Sequence, residues 1–177
     1  MKDLNIIFAG FGGQGVLFLA KVIAYAGLID GKEVSWLPSY GPEMRGGTCN
    51  CSVCVSTEPI GSPLVVNPDV LVAMNKPSYD KFIDTVTPGG IVILDSFLVT
   101  DKVKRDDITV CYLPITQIAE DNNLKGLGNV IAAGKLWEMT KLCEWDSLVT
   151  GIKKSVPARK TDLIEMNLQA IEVGKNA

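Results

Sequence analysis

Four glycines fall within six positions at Gly10-Phe11-Gly12-Gly13-Gln14-Gly15, between Asn5-Ile6-Ile7-Phe8-Ala9 and the apolar run Val16–Ile29. The order reads as a short buried strand, a tight turn and a helix, and Gly10, Gly12 and Gly15 fit the spacing G-x-G-x-x-G. Such a turn exposes backbone N–H groups at a helix start, where the helix dipole favours negative charge. Glycine suits it because the chain must turn tightly and an anion must approach without meeting a Cβ. The spacing points to an anion or phosphate site and leaves the ligand open. Glycines that only let strand and helix pack closely are the alternative.

The rest of the composition narrows the chemistry. The 177 residues suffice for one domain, taken as spanning 1–177, with a substantial core. The chain has no histidine, which removes Ser-His-Asp catalysis, Cys-His catalysis and every His-containing metal site. A net charge of −3 speaks against nucleic-acid binding. The run Val16–Ile29 contains Lys21 and falls short of the roughly 20 residues that span a bilayer, so a buried helix and no membrane partner are expected. Five cysteines, an odd number, and no leader pattern suit a reducing cytoplasm.

Along the chain, Asp30-Gly31-Lys32 turns into a second strand, Glu33–Leu37, so that strand, helix and strand form a βαβ unit with the two strands parallel and neighbouring. The loop Pro38–Gly47 follows, expected on the same sheet edge as the glycine turn, where open α/β sheets place ligands. Thr48–Val55 alternates as a third strand, with Cys49, Cys51, Val53 and Val55 on one face, and an antiparallel hairpin is expected at Ser56–Pro63. Val70–Met74, Ile91–Asp95 and Ile108–Leu113 read as further strands. Helices are expected over Tyr79–Val86, from Pro114 to Glu120, from Asn129, over Ser147–Ser155 and over Thr161–Val173, the last stopped by Gly174. The fold class is α/β: three layers, αβα, with a Rossmann-like, mostly parallel sheet in a single domain.

A dinucleotide fold usually places an acid about 20 residues past the glycines, at the end of the second strand, to hold the ribose. Here that strand ends in Trp36-Leu37-Pro38-Ser39, so a stand-alone nucleotide- or NAD-binding domain lacks its confirming residue. Cys49-x-Cys51-x-x-Cys54 invites a metal reading, but Cys54 points away from the other two on an extended strand, and no metal site is expected. Arg45 offers a rigid fork of donors for phosphate or carboxylate, or serves only as a solvated loop residue paired with Glu43. Asn129 is either a helix N-cap or an amide presented to a ligand beside the first helix.

The pair Gly10-Phe11-Gly12-Gly13-Gln14-Gly15-Val16 and Ser39-Tyr40-Gly41-Pro42-Glu43-Met44-Arg45-Gly46-Gly47 closely resembles the gamma subunit of 2-oxoacid:ferredoxin oxidoreductases. The likeness continues through Asn67-Pro68-Asp69, Pro88-Gly89-Gly90 and the Asn129 helix. The Ser-Tyr-Gly-Pro-Glu form looks more like the 2-oxoglutarate, pyruvate and branched-chain enzymes than the indolepyruvate enzyme.

The resemblance implies a multi-subunit oxidoreductase of anaerobic metabolism that decarboxylates a 2-oxoacid and acylates coenzyme A. Alpha and beta subunits would hold thiamine diphosphate and Mg. Iron–sulfur clusters would sit in partner chains, including a ferredoxin-like delta subunit, with ferredoxin as the acceptor. This chain would hold no tight cofactor and no catalytic residue. Its expected site is Gly10, Gly12, Gly13, Gln14 and Gly15 with Arg45, Gly46, Gly47 and Asn129, receiving coenzyme A. The ligand's 3′-phosphate and pyrophosphate suit helix-start N–H groups and an arginine fork, and its 3′-phosphate would be repelled by a ribose-binding acid. A purely structural assembly subunit is the remaining alternative.

Overall fold

Successive apolar residues along the inner strands point to opposite faces of one sheet, and the two alternating sets fill two cores. The computed structural model describes residues 3–40 and 48–177. The strands are β1 (Leu4–Phe11), β2 (Glu33–Tyr40), β3 (Thr48–Ser56), β4 (Val70–Ala73), β5 (Ile91–Asp95) and β6 (Thr109–Leu113). The helices are α1 (Val16–Ile29), α2 (Lys76–Phe82), α3 (Ile115–Asp121), α4 (Gly128–Thr140), α5 (Trp145–Ser155) and α6 (Leu163–Asn176). Ile6, Phe8, Val70, Val72 and Ile93 face the larger core, under α1 and α3–α6, while Ile7, Ala9, Leu71, Ala73, Val92 and Leu94 face the smaller one. There Tyr79 and Ile83 close the face with Val65, Val86 and Val99, so the third layer is one helix plus irregular chain.

The sheet order is β2-β3-β1-β4-β5-β6. β1, β4, β5 and β6 pair in parallel, and β3 pairs antiparallel with both β1 and β2. Five strands therefore share one direction and β3 runs against them. Two expectations are corrected here. β1 and β2 are parallel in direction but are not neighbours, because β3 lies between them. The hairpin is β2–β3, not a turn at Ser56–Pro63; residues 57–69 instead lead on to β4. The physical reason is visible in the strands. Cys51, Val53, Cys54 and Val55 are buried on both faces and demand a central position. β2 carries Pro38, which has no N–H to donate, and half-exposed Trp36 and Leu37, so it is tolerated at an edge.

Helix ends differ in detail. α2 begins at Lys76, where the Asn75 side chain caps it by accepting from the Ser78 N–H at 2.8 Å. It passes into a 3₁₀ turn at Ile83–Thr85. α6 runs through Gly174 to Asn176, so Gly174 is not a stop. It is a contact point instead: a Cβ there would sit 1.9 Å from the Ile131 carbonyl oxygen of α4. Among the described residues, no helix is long and apolar enough to cross a membrane.

Candidate functional site

The register places the glycine turn and the second loop on one edge. Gly10 pairs with Cys49, and Cys49 pairs with Tyr40, so β1 and β2 end level with each other at their carboxyl ends. Ala9 pairs with Ala73, which brings the end of β4 to the same line. Gly41–Gly47, and with them Arg45, Gly46 and Gly47, lie outside the described residues. Their flanks, Tyr40 and Thr48, stand at this edge.

The turn is held by one side chain. Gln14 accepts from the Phe11 N–H through Oε1 at 2.6 Å and donates through Nε2 to the Met74 carbonyl at 2.9 Å. Its own N–H bonds the Phe11 carbonyl at 3.1 Å. Gln14 is thus committed to bracing the turn against β4. A Cβ on Gly10 would lie 2.8 Å from Gln14 Oε1 and from Val16 Cγ2, so this brace needs a bare backbone beneath it. Gly13 and Gly15 take φ of 102° and 75°, left-handed values that side chains resist.

Gly15 caps α1 in that left-handed conformation. Among the described residues no side chain bonds the N–H groups of the first turn, and that turn contains no acidic residue. The N–H groups of Val16, Leu17 and Phe18 have no partner within the helix and lie at the positive end of its dipole. Asn129 braces the same point: its Nδ2 donates to the Gly15 carbonyl at 3.1 Å, which also accepts from the Leu19 N–H at 3.0 Å. Leu127, not Asn129, occupies the N-cap of α4. Of the two sequence readings, the N-cap fails, and Asn129 instead reaches across to the start of α1.

Two cavities flank the turn. One, of about 240 Å³, lies between Gly13, Gln14, Met74, Ile115, Lys125 and Asn129. The other, of about 290 Å³, lies along Gly12, Gly15, Val16, Phe18 and Cys49, with Phe11 and Leu17. Gly13 borders both, and among the described residues nothing stands within 4 Å of where its Cβ would be. A smaller hollow beyond Phe18 and Asn129 brings in Lys160 from a 3₁₀ turn at Ala158–Lys160. Nothing in the spacing of the sequence marked Lys160 for this place. The structure thus brings together Gly10, Gly12, Gly13, Gln14, Gly15 and Asn129.

The cysteines of β3 are packed into the two cores, with Cys49 also at the wall of one cavity. Cys49, Cys51, Val53 and Val55 share the larger core, whereas Cys54 lies in the smaller one, as strand alternation requires. Burial pushes the Cys49 thiol up and the Cys51 thiol up to about 12, so both stay neutral and weakly nucleophilic at ordinary pH.

A largely parallel α/β sheet whose first turn opens onto an uncapped helix start defines the Rossmann-like class of domains. Within that class, the chain belongs to the pyruvate ferredoxin/flavodoxin oxidoreductase family, whose sequence model matches residues 5–177. It is 39% identical over 173 residues to the 2-oxoglutarate synthase subunit KorC of Methanocaldococcus jannaschii, covering 96% of this chain and 91% of that one. It is 40% identical over 174 residues to the ketoisovalerate oxidoreductase subunit VorA of Methanothermobacter thermautotrophicus, covering 97% of this chain but only 36% of that one. The chain thus spans about a third of the length of such ketoisovalerate oxidoreductase subunits.

Solved structures share the fold. The gamma subunit of a keto/oxoacid ferredoxin oxidoreductase from Geobacter sulfurreducens superposes with a TM-score of 0.83 at 27% identity, covering 97% of this chain and 96% of that one. The 2-oxoglutarate:ferredoxin oxidoreductase of Magnetococcus marinus, with 2-oxoglutarate, coenzyme A and succinyl-CoA bound, gives 0.89 at 25% identity, covering 99% of this chain and 31% of that one.

Proposed function

We propose that this chain is the gamma subunit of a CoA-acylating 2-oxoacid:ferredoxin oxidoreductase and supplies part of its coenzyme A site. The observation that carries this is the uncapped start of α1 at Gly15, between two cavities. A pyrophosphate finds there the N–H groups of Val16, Leu17 and Phe18, each such contact with a helix start worth about 0.3–1 kcal/mol. Lys125 stands at the rim of one cavity and Lys160 at the hollow beyond, both suited to a phosphate as point charges. Arg45, Gly46 and Gly47 would join from the loop that starts and ends at this edge.

A dinucleotide fits less well. In a nicotinamide-binding fold the second strand lies beside the first and presents its acid to the ribose. Here β2 is two strand spacings away, about 10 Å, and ends without an acid. The relatives named for ketoisovalerate and for 2-oxoglutarate resemble this chain almost equally. That supports a role at the ligand their reactions share, coenzyme A, with the 2-oxoacid selected elsewhere.

In the assembled enzyme, thiamine diphosphate with Mg in alpha and beta subunits would supply the decarboxylation chemistry. Clusters in partner chains, a ferredoxin-like delta subunit among them, would pass electrons to ferredoxin. Cys49, Cys51 and Cys54 do not suit a cluster, being buried on opposite faces of β3. What its own residues do is bind and orient. The helix start fixes the phosphates, Gln14 and Asn129 hold the turn rigid beneath them, and the thiol end is left to extend toward the partners. Binding of this kind raises the effective concentration of the thiol at the acyl group.

The test is made on the assembled complex. Arg45→Ala should raise the KM for coenzyme A about 10-fold, or about 1.4 kcal/mol, and leave the KM for the 2-oxoacid alone. An unchanged KM for coenzyme A would reduce the chain to a structural part of the assembly. Binding of NADH without binding of coenzyme A would overturn the proposal.

A further inference from the structure

We propose that the hollow between Phe18 and Lys160 receives the adenosine 3′-phosphate of coenzyme A, and that Lys160 is the side chain by which this subunit separates coenzyme A from its 3′-dephospho form. The inference rests on the coenzyme A reading above and assigns one phosphate of that ligand to one side of the glycine turn.

Its starting point is positive charge without a partner. Lys153, Lys154, Arg159 and Lys160 place four cations within eight residues of a chain whose net charge is −3. All four are exposed, and among the described residues none forms an ion pair. Exposed lysines are ordinary, but the place of Lys160 is specific. The 3₁₀ turn Ala158–Lys160 brings it to a hollow of about 210 Å³ with apolar walls from Phe18, Leu127, Val156, Pro157 and Leu163. Among the described residues, Lys160 is the one charged side chain that lines it; Asp162 and Glu165, the next acids along the chain, do not.

The cavity on the other side of the turn decides the assignment. Lys125 borders it, but so does Glu120. A phosphate monoester carries about −1.5 to −2 charges at pH 7, so a carboxylate beside it repels what the lysine attracts. The hollow offers the cation without the anion. It also adjoins the helix start, because Phe18 lines both the hollow and the cavity along α1. Phe18 is two residues on from Val16, or about 3 Å along the helix axis. That arrangement matches the ligand, whose pyrophosphate and 3′-phosphate hang from the 5′ and 3′ carbons of one ribose and so need neighbouring sites. The apolar walls then flank the base, and the pantetheine arm leaves from the far end of the pyrophosphate toward the partners.

The experiment compares coenzyme A with 3′-dephospho-coenzyme A as substrates of the assembled complex. The two differ only in that phosphate, and both carry the same thiol. The KM for the dephospho form should be about 10-fold higher, with kcat little changed. In the Lys160→Met complex, which keeps an apolar stem and loses the charge, the two should differ by less than about 2-fold. Lys160→Arg should keep the preference. Equal KM values with the unaltered protein would overturn the assignment while leaving the coenzyme A reading intact. A preference that persists in Lys160→Met would also overturn it, and its collapse in Lys125→Met instead would move the phosphate to the other cavity. Should Lys160→Met fail to assemble, photolabelling of the unaltered complex with 8-azido-coenzyme A decides: label within residues 155–163 is expected, and label confined to residues 115–125 or to another chain would overturn the proposal. Turnover that needs no coenzyme A would remove the broader reading and this one together.

Discussion

Asn129 Nδ2 lies 3.1 Å from the carbonyl oxygen of Gly15, a hydrogen bond between residues 114 positions apart. It ties the start of α4 to the start of α1 and leaves almost no room at the glycine: a Cβ on Gly15 would fall 2.4 Å from Asn129 Nδ2.

Gly15→Ala should therefore cost more than Gly13→Ala. Both residues have left-handed φ, worth about 1–2 kcal/mol of strain with a side chain. Among the described residues only Gly15 adds a clash, since none comes within 4 Å of a Cβ at Gly13. The expected loss is about 3 kcal/mol for Gly15→Ala against about 1 kcal/mol for Gly13→Ala, read from urea midpoints at unchanged slope. Equal losses would mean that Asn129 yields freely.

Gln14→Glu changes one atom of the brace. The carboxylate can still accept from Phe11 but cannot donate to Met74, and it places a charge beside that carbonyl. The variant should lose about 1–3 kcal/mol in chemical denaturation and bind coenzyme A more weakly. Full stability in Gln14→Glu would show that the Met74 bond contributes nothing.

The α4–α6 crossing gives a prediction remote from the site. Gly174→Ala would press a methyl group to 1.9 Å from the Ile131 carbonyl, and Gly134→Ala would do so to 2.1 Å from that of Ile171. Helix propensity alone favours alanine by about 1 kcal/mol at each position. Net destabilisation, by about 1–3 kcal/mol in thermal or urea unfolding, is expected because the clash outweighs it. A rise in Tm for either variant would refute the close crossing.

Two buried thiols set a limit at high pH. Burial raises Cys51 and Cys143 from an ordinary value of 9.0 to about 12. The folded state holds these protons more tightly than the unfolded state. Their contribution is therefore whole below pH about 9 and is lost as pH rises toward 12, by up to about 1.4 kcal/mol per unit for each thiol. Urea midpoints followed from pH 8 to 11 should fall, and iodoacetamide at pH 8 should label both residues only in denatured protein. Rapid labelling of native Cys51 would contradict its burial.

Much of this was legible in the residues. The bounds of α1 and β5 follow from apolar runs closed by turns, and the two faces of β3 follow from period-two alternation. Strand direction was not legible, since alternation reads the same both ways along a chain; hence β3 was not seen to reverse and slip between β1 and β2. Gly174 was misread because a glycine that stops a helix and one that admits a second helix look alike until the partner is known. The turn announced itself through its glycines. Its two braces did not: Gln14 and Asn129 find Met74 and Gly15 through tertiary contacts that no spacing encodes.

Gly10–Gly15 are placed by Cys49 on one side, Ala73 and Met74 on the other, and Asn129 behind. These contacts join segments from the first, second and third quarters of the chain, so no fragment can assemble the turn alone. Binding at the turn thus reports on completed folding. A nascent or misfolded copy would present no grip to its ligand, and ligand binding would favour finished chains at the moment of assembly.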